Sequence, residues 1–300
     1  FFFKQKTAYE IKECDWSSDV CSSDLETLLS ITSSHVNKAP VGRNIQLAAK
    51  ERNTGKILGF IRLGSPVIYM RPRNELLGQV FSQNPDTTKR FNDATMMGFV
   101  IVPSQPFGFN YLGGKLMAGI CTSHEVREIC NKKYCMNMCL FETTSLYGST
   151  KGVSQYDGMK PFIRYQGITD SDMVPMMHGE KYTQLKDFVE SKVGDILEGD
   201  KKSTSRKLRT FTKIISLTKA ALKGSSEGVA FDGTIESAKR LTEKKRYYTS
   251  NYGYNNYIDY LACRTDTLVP GENYEKHNLA NIIEWWRSEE RTSELQSHSF

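Results

Sequence analysis

Apolar and polar positions along the chain fall into short blocks whose spacing predicts alternating strands and helices. Asn44–Lys50 and Lys56–Leu63 are apolar runs joined by Glu51-Arg-Asn-Thr-Gly55, and the Asn53-Thr-Gly55 turn predicts an antiparallel hairpin. Val67–Met70 extends the second strand, Arg71-Pro-Arg-Asn is a turn, and Leu76–Gln83 is either a short helix or an irregular apolar segment. Asn84-Pro-Asp-Thr-Thr is a break. Thr95–Val102 is a run rich in Val, Ile and Phe, as in a buried strand, and Pro103 ends it. A glycine-bearing turn, Gln105–Asn110, follows. Then Leu112, Leu116, Met117, Ile120, Val126 and Ile129 recur at helical spacing, and the helix runs to about Lys133. Met136–Thr143 is the next strand, and it follows the helix closely enough to lie parallel beside Thr95–Val102. The expected architecture is α/β: a mixed sheet with flanking helices.

After this point the pattern loosens. Ser154–Arg164 reads as a short helix or turn, Phe162–Gly167 as an extended piece, and Val174–Met177 as a final strand. From Lys181 the period becomes helical. Tyr182, Leu185, Phe188, Val189, Val193, Ile196 and Leu197 share one face, and Leu208, Phe211, Ile215 and Leu222 form a second stripe. Gly224–Gly228 is a loop, and Thr234–Lys245 is a basic helix with Thr234 as N-cap. An aromatic stretch, Arg246–Tyr260, precedes a closing helix at Leu279–Trp286.

Charge changes this picture. Lys201–Arg246 holds thirteen Lys/Arg against four Asp/Glu. Its net of +9 is the whole excess of residues 26–286, which carry thirty-five basic and twenty-six acidic side chains. A polyanion such as DNA is the partner this asymmetry fits, through Lys201–Arg246, with the tyrosines of Tyr247–Tyr260 either stacking on bases or packing the helices onto the sheet domain. No apolar run approaches the ~18 residues of a membrane span. The five cysteines of residues 26–286, without a C-x-x-C pair among them, fit small buried hydrophobes in a reducing compartment better than a zinc site, so a cytoplasmic location is expected.

The carboxyl ends of the two parallel strands are the expected site, because ligands of open α/β sheets bind where neighbouring strands diverge. One strand would deliver backbone N–H groups from the turn near Gly108 and Asn110 to hold a pyrophosphate or an oxyanion. The other would deliver Glu142 as a proton acceptor or metal ligand, with Ser145 and Tyr147 as hydrogen-bonding groups. His35 is a candidate base or iron ligand. Lys151 and Arg164 are candidate phosphate contacts. His124-Glu125 fails the H-E-x-x-H pattern, since position 128 is Glu, and His124 is expected on a helix surface.

Two resemblances sharpen these expectations. Residues 1–25 and 287–300 resemble translated sequencing-adapter reads, CDWSSDVCSSDL most plainly, so both ends are expected to lie outside the fold. The domains expected on that basis are a sheet domain over 26–180 and a basic, Tyr-rich helical appendage over 181–286. The order hairpin, strand, turn, helix, parallel strand resembles the GNAT acyltransferase fold. Val102-Pro103 followed by Gln105-x-x-Gly108-x-Asn110 is similar to its cofactor loop, with Asn110 in place of a small residue. That resemblance implies acyl-CoA, such as acetyl-CoA, held by Val102, Gln105, Phe107, Gly108, Phe109 and Asn110. Residues 34–167 are also similar to phage-encoded Mom-type proteins and to the DruA component of the Druantia defence system. The carriers are His35, Leu58-Gly59, the Val-Pro turn, Phe141-Glu142-Thr143 and Tyr147-Gly148. The Mom likeness implies a transferase of a phage or mobile element that modifies adenine in DNA, with an acyl-CoA donor and iron. A general N-acyltransferase on a small amine or protein, and a non-catalytic DNA-binding protein of the DruA type, are the alternatives.

Overall fold

The computed structural model describes residues 9–13, 27, 42–51, 55–67, 70–78, 84–105, 107–110, 112–145, 147, 152–169, 179–195, 206–240 and 244–297. Contacts divide the chain into two units: residues 1–169 with 245–300, and residues 170–244.

The first unit is built on a mixed sheet of seven strands: β1 (Tyr9–Glu13), β2 (Asn44–Glu51), β3 (Ile57–Gly64), β4 (Thr95–Pro103), β5 (Leu140–Ser145), β6 (Arg164–Ile168) and β7 (Arg246–Ser250). Their spatial order is β1-β2-β3-β4-β5-β7-β6. The hairpin β2–β3 forms as its turn predicts, with Ile61 opposite Leu47. β4 and β5 run parallel, with Met97 opposite Glu142 and Gly98 opposite Thr143. All other neighbouring pairs are antiparallel. Alternation turns Ile45, Leu47, Ile61, Leu63, Met96, Phe141 and Tyr248 into one large core, where they meet helices α4 (Gly113–Cys121), α5 (His124–Tyr134) and α10 (Leu279–Ser297) through Leu116, Met117, Ile120, Val126 and Ile282.

Local chemistry explains several departures from the expected elements. Asn84-Pro85-Asp86 is a helix start rather than a break. Asn84 accepts from the Asp86 amide at 2.9 Å and Pro85 needs no partner for an N–H it lacks, so α2 spans Pro85–Ala94. Pro72 likewise sits in the first turn of α1 (Arg71–Leu77), where a turn was expected. The long helix after the glycine turn is interrupted at Thr122, and Ser123 caps a new one by accepting from Val126 at 3.2 Å. A four-residue helix, α3 (Phe107–Asn110), occupies the turn itself.

Both termini also depart from expectation. The alternating YEIKE of Tyr9–Glu13 pairs along the edge of β2, and α10 continues past Arg287, with Lys115 3.0 Å from Glu289. Val174–Met177 lies outside the described residues.

The second unit contains α6 (Glu180–Val193), α7 (Arg206–Ala221) and α8 (Ser226–Arg240). Its third helix begins at Ser226, inside the expected loop, and Thr234 is interior, its hydroxyl donating back to the Ala230 carbonyl at 2.9 Å. The aromatic stretch does not belong to this unit. Arg246–Ser250 is β7, inserted between β5 and β6, and α9 (Tyr257–Leu261) follows it within the first unit.

Candidate functional site

The expected fork between the two parallel strands is present. β4 and β5 pair from Thr95/Leu140 to Gly98/Thr143. Beyond that point β4 stays with β3 as far as Pro103 opposite Gly59, and β5 stays with β7 as far as Ser145 opposite Arg246. The divergence has a local cause. The register between β3 and β4 shifts so that Arg62 faces Val100 and Leu63 faces Gly98, which leaves Phe99 as an extra residue. Such a bulge bends its strand and is found where pairing ends.

Among the described residues, those expected around the fork are not brought to one cavity. Glu142 is wholly buried. Phe141 lies in the large core with α4 and α5, so strand alternation turns Glu142 to the opposite face, among Met70, Met97 and Tyr247. There Arg73 Nη1 lies 3.2 and 3.3 Å from its two carboxylate oxygens, and the Tyr247 hydroxyl donates to Oε1 at 2.5 Å. The Arg73 guanidinium also stacks over Phe91, 4.3 Å from the ring centre. Burial pushes the Glu142 carboxyl above its ordinary range, opposed by the Arg73 charge and the Tyr247 hydroxyl. Burial and the neighbouring carboxylate drive Tyr247 well above the usual phenol range. The expectation of Glu142 as an accessible proton acceptor is therefore corrected: this carboxylate anchors α1 to the sheet.

The glycine turn is likewise turned to packing. Gly108 N–H already donates to the Ser104 carbonyl at 2.8 Å, and a side chain at Gly108 would come 2.5 Å from Pro103 Cγ. Glycine is needed there for close approach of the turn to its own strand. The first turn of α4 is buried as well, and Gln155 Oε1 lies so near Gly114 that a Cβ would meet it at 1.9 Å. Val102 packs with Ala48, Phe60 and Val100, and Phe107 packs against Trp286 at 5.9 Å between ring centres. Gln105 is exposed, and the side chains of Phe109 and Asn110 are outside the described part. Val102, Phe107 and Gly108 thus form a packed corner.

Ser145 is buried and accepts from the Tyr147 amide at 3.1 Å, which makes it a turn-former, while Tyr147 is 54 % exposed. His35 and Lys151 lie outside the described residues, and Arg164 is exposed on β6. Of the tyrosines offered as base-stacking groups, Tyr247, Tyr248, Tyr252 and Tyr254 are buried, and Tyr257 is partly buried against the large core.

Sequence reasoning missed three polar clusters. Arg73 was hidden because its partner lies sixty-nine positions away. Arg246 donates to Asp157 at 3.0 Å and to the Tyr248 hydroxyl at 2.8 Å, with its guanidinium 3.9 Å from the centre of the Tyr165 ring. His124 and His277, 6.0 Å apart, each bond a backbone carbonyl at 2.8 Å, of Tyr274 and Thr122 respectively, so His124 is a buried clasp rather than helix surface. Among the described residues no group of three or more His, Cys, Asp or Glu is arranged to hold a metal ion. Cys121, Cys130 and Cys139 are buried, as expected of small hydrophobes, whereas Cys135 and Cys263 are exposed.

The chain is thus a mixed α/β protein with a forked parallel pair and a buried carboxylate beneath it. The family described as Druantia protein DruA matches residues 21–156, a stretch that spans the hairpin, the forked strands and the turn between them and stops before β6. No curated protein gives a significant match. No helix among the described residues is long and apolar enough to cross a membrane.

Proposed function

We propose that this is a nucleic-acid-binding protein of the DruA type, a component of phage defence, in which the forked sheet is a scaffold rather than a carboxylate-driven catalyst. The observation that carries the reading is the state of Glu142. A general base must reach the proton it removes. Glu142 is excluded from solvent, and its oxygens are engaged by Arg73 and Tyr247. The likeness to DruA over residues 21–156 supports the family context. The concentration of positive charge in Lys201–Arg246 supports a polyanionic partner. The test is a pair of measurements on the full chain: duplex DNA binding by wild type and Glu142→Gln, and mass analysis of nucleosides from DNA co-expressed with each. Binding by both proteins with unmodified nucleosides is the expected result. A heavier adenosine that disappears in Glu142→Gln overturns the reading.

A second reading, acyl transfer at the fork, is favoured by one specific observation: β4 and β5 separate after Gly98 and Thr143 at a bulge. The order hairpin, strand, turn, helix, parallel strand supports a GNAT-like scaffold for it. The same reading covers adenine modification of the Mom type and N-acylation of a small amine or protein, with acyl-CoA and, in the Mom case, iron as cofactors. On this reading the proton acceptor is a group other than Glu142. Acetyl-CoA turnover on amines, unchanged by Glu142→Gln, would favour it over simple binding.

A further inference from the structure

The 75-residue second unit, Asp170–Lys244, is an insertion in a hairpin. β6 and β7 are antiparallel neighbours, with Ile168 opposite Arg246, and the unit occupies the connection between them. Its neck is fastened within the first unit. Thr169 N–H donates to the Lys245 carbonyl at 2.8 Å, and Lys245 N–H donates to Thr169 Oγ1 at 3.0 Å. The sheet register therefore closes without the insertion, which leaves the inserted unit available for a separate task.

Helix α7 within it has an unusual charge pattern. It carries five Lys/Arg and no Asp/Glu over sixteen residues. Thr210, Phe211 and Ile214 are its buried side. Arg209, Lys213, Ser216 and Ala220 recur at helical spacing on another stripe, which Lys223 continues in the turn beyond. Lys213, Ser216, Ala220 and Lys223 are exposed. Lys219, which lies off that stripe, is neutralised by Asp232 at 2.7 Å. Two exposed ammonium groups separated by side chains as small as serine and alanine let a helix lie close against a phosphate backbone.

Resting on the nucleic-acid reading above, we infer that the inserted unit is the polyanion-binding module of this protein, and that Lys213 and Lys223 contact the phosphates of duplex DNA without reading its bases. The test is the salt dependence of binding of one duplex, and of a second of unrelated sequence, to the full chain. Wild type is compared with Lys213→Ala/Lys223→Ala and with a control pair in the first unit, Lys132→Ala/Lys160→Ala. All four lysines are exposed, and circular dichroism and melting verify that each variant is folded. Two lost phosphate contacts should lower the slope of log affinity against log salt by about 1.8. That result for the α7 pair on both duplexes, with the control unchanged, supports the inference. Binding with the same slope in the α7 pair, or an equal loss in the control, overturns the inference and leaves the nucleic-acid reading standing. A wild-type chain that binds neither duplex overturns both.

Discussion

Arg73 Nη1 lies 3.2 Å from Glu142 Oε2, and neither side chain has any contact with solvent. A carboxylate at the end of a strand beside a diverging neighbour invites a catalytic role. The guanidinium beside it assigns a structural one instead. Breaking a buried pair by removing one partner leaves an uncompensated charge and costs about 3–5 kcal/mol. Glu142→Gln should therefore lower the free energy of unfolding by about that amount, read from urea midpoints. Arg73→Met/Glu142→Leu should lose less than either single variant. Equal stability of Glu142→Gln and wild type would contradict the assignment.

Tyr247 donates the third interaction to this carboxylate. Its hydroxyl has Glu142 as partner within a fully buried setting, so Tyr247→Phe removes a bond to a charged acceptor and should cost about 1.5–3 kcal/mol. Because the ring stays in the core, the affinity for DNA of the folded variant should be unchanged. A variant of native stability with altered DNA affinity would argue for a ligand-facing role instead.

His277 links the segment after α9 to the turn before α5. It is fully buried, its Nδ1 bonded to the Thr122 carbonyl, and burial presses the imidazole down to about 4. An unfolded histidine titrates near ~6.5, so its pKa is depressed on folding and the unfolded chain binds the proton first. The sign follows: this contribution is present above pH ~6.5 and is lost as pH falls toward 4, at about 1.4 kcal/mol per pH unit. His124, also lowered by burial, acts in the same direction. The difference in unfolding free energy between wild type and His277→Gln should shrink between pH 7 and pH 5. A constant difference would contradict it.

The hairpin neck makes a prediction about the insertion as a whole. Replacing residues 170–244 by Asn-Gly should join Thr169 to Lys245 as a two-residue hairpin, a connection that matches strand twist. The shortened chain should keep one cooperative melting transition and lose duplex binding. Loss of the transition would show that the sheet depends on the insertion.

Much of the first unit was legible from local pattern. The β2–β3 hairpin, the strand β4 ended by Pro103, and the parallel β5 followed from turn chemistry and period, because each signal lies within a few residues of its effect. What was illegible depends on distant partners. Nothing near Glu142 in the chain announces Arg73 or Tyr247, and an exposed catalytic carboxylate and a buried anchoring one occur in the same local sequence. Arg246–Tyr260 misled for a related reason: tyrosines next to a basic run suggest stacking, yet Tyr247 and Tyr248 lie on a strand between β5 and β6 and are both buried. Asn84-Pro85-Asp86 was legible in principle, since an Asn before a Pro and an acid is a helix cap as much as a turn.

The most direct measurement is the affinity of the full chain for duplex DNA as a function of salt concentration. A log–log slope of several units, the same for two unrelated sequences and for Glu142→Gln, is the result this account predicts. An affinity that is undetectable at low salt, or that does not change with salt, would contradict it.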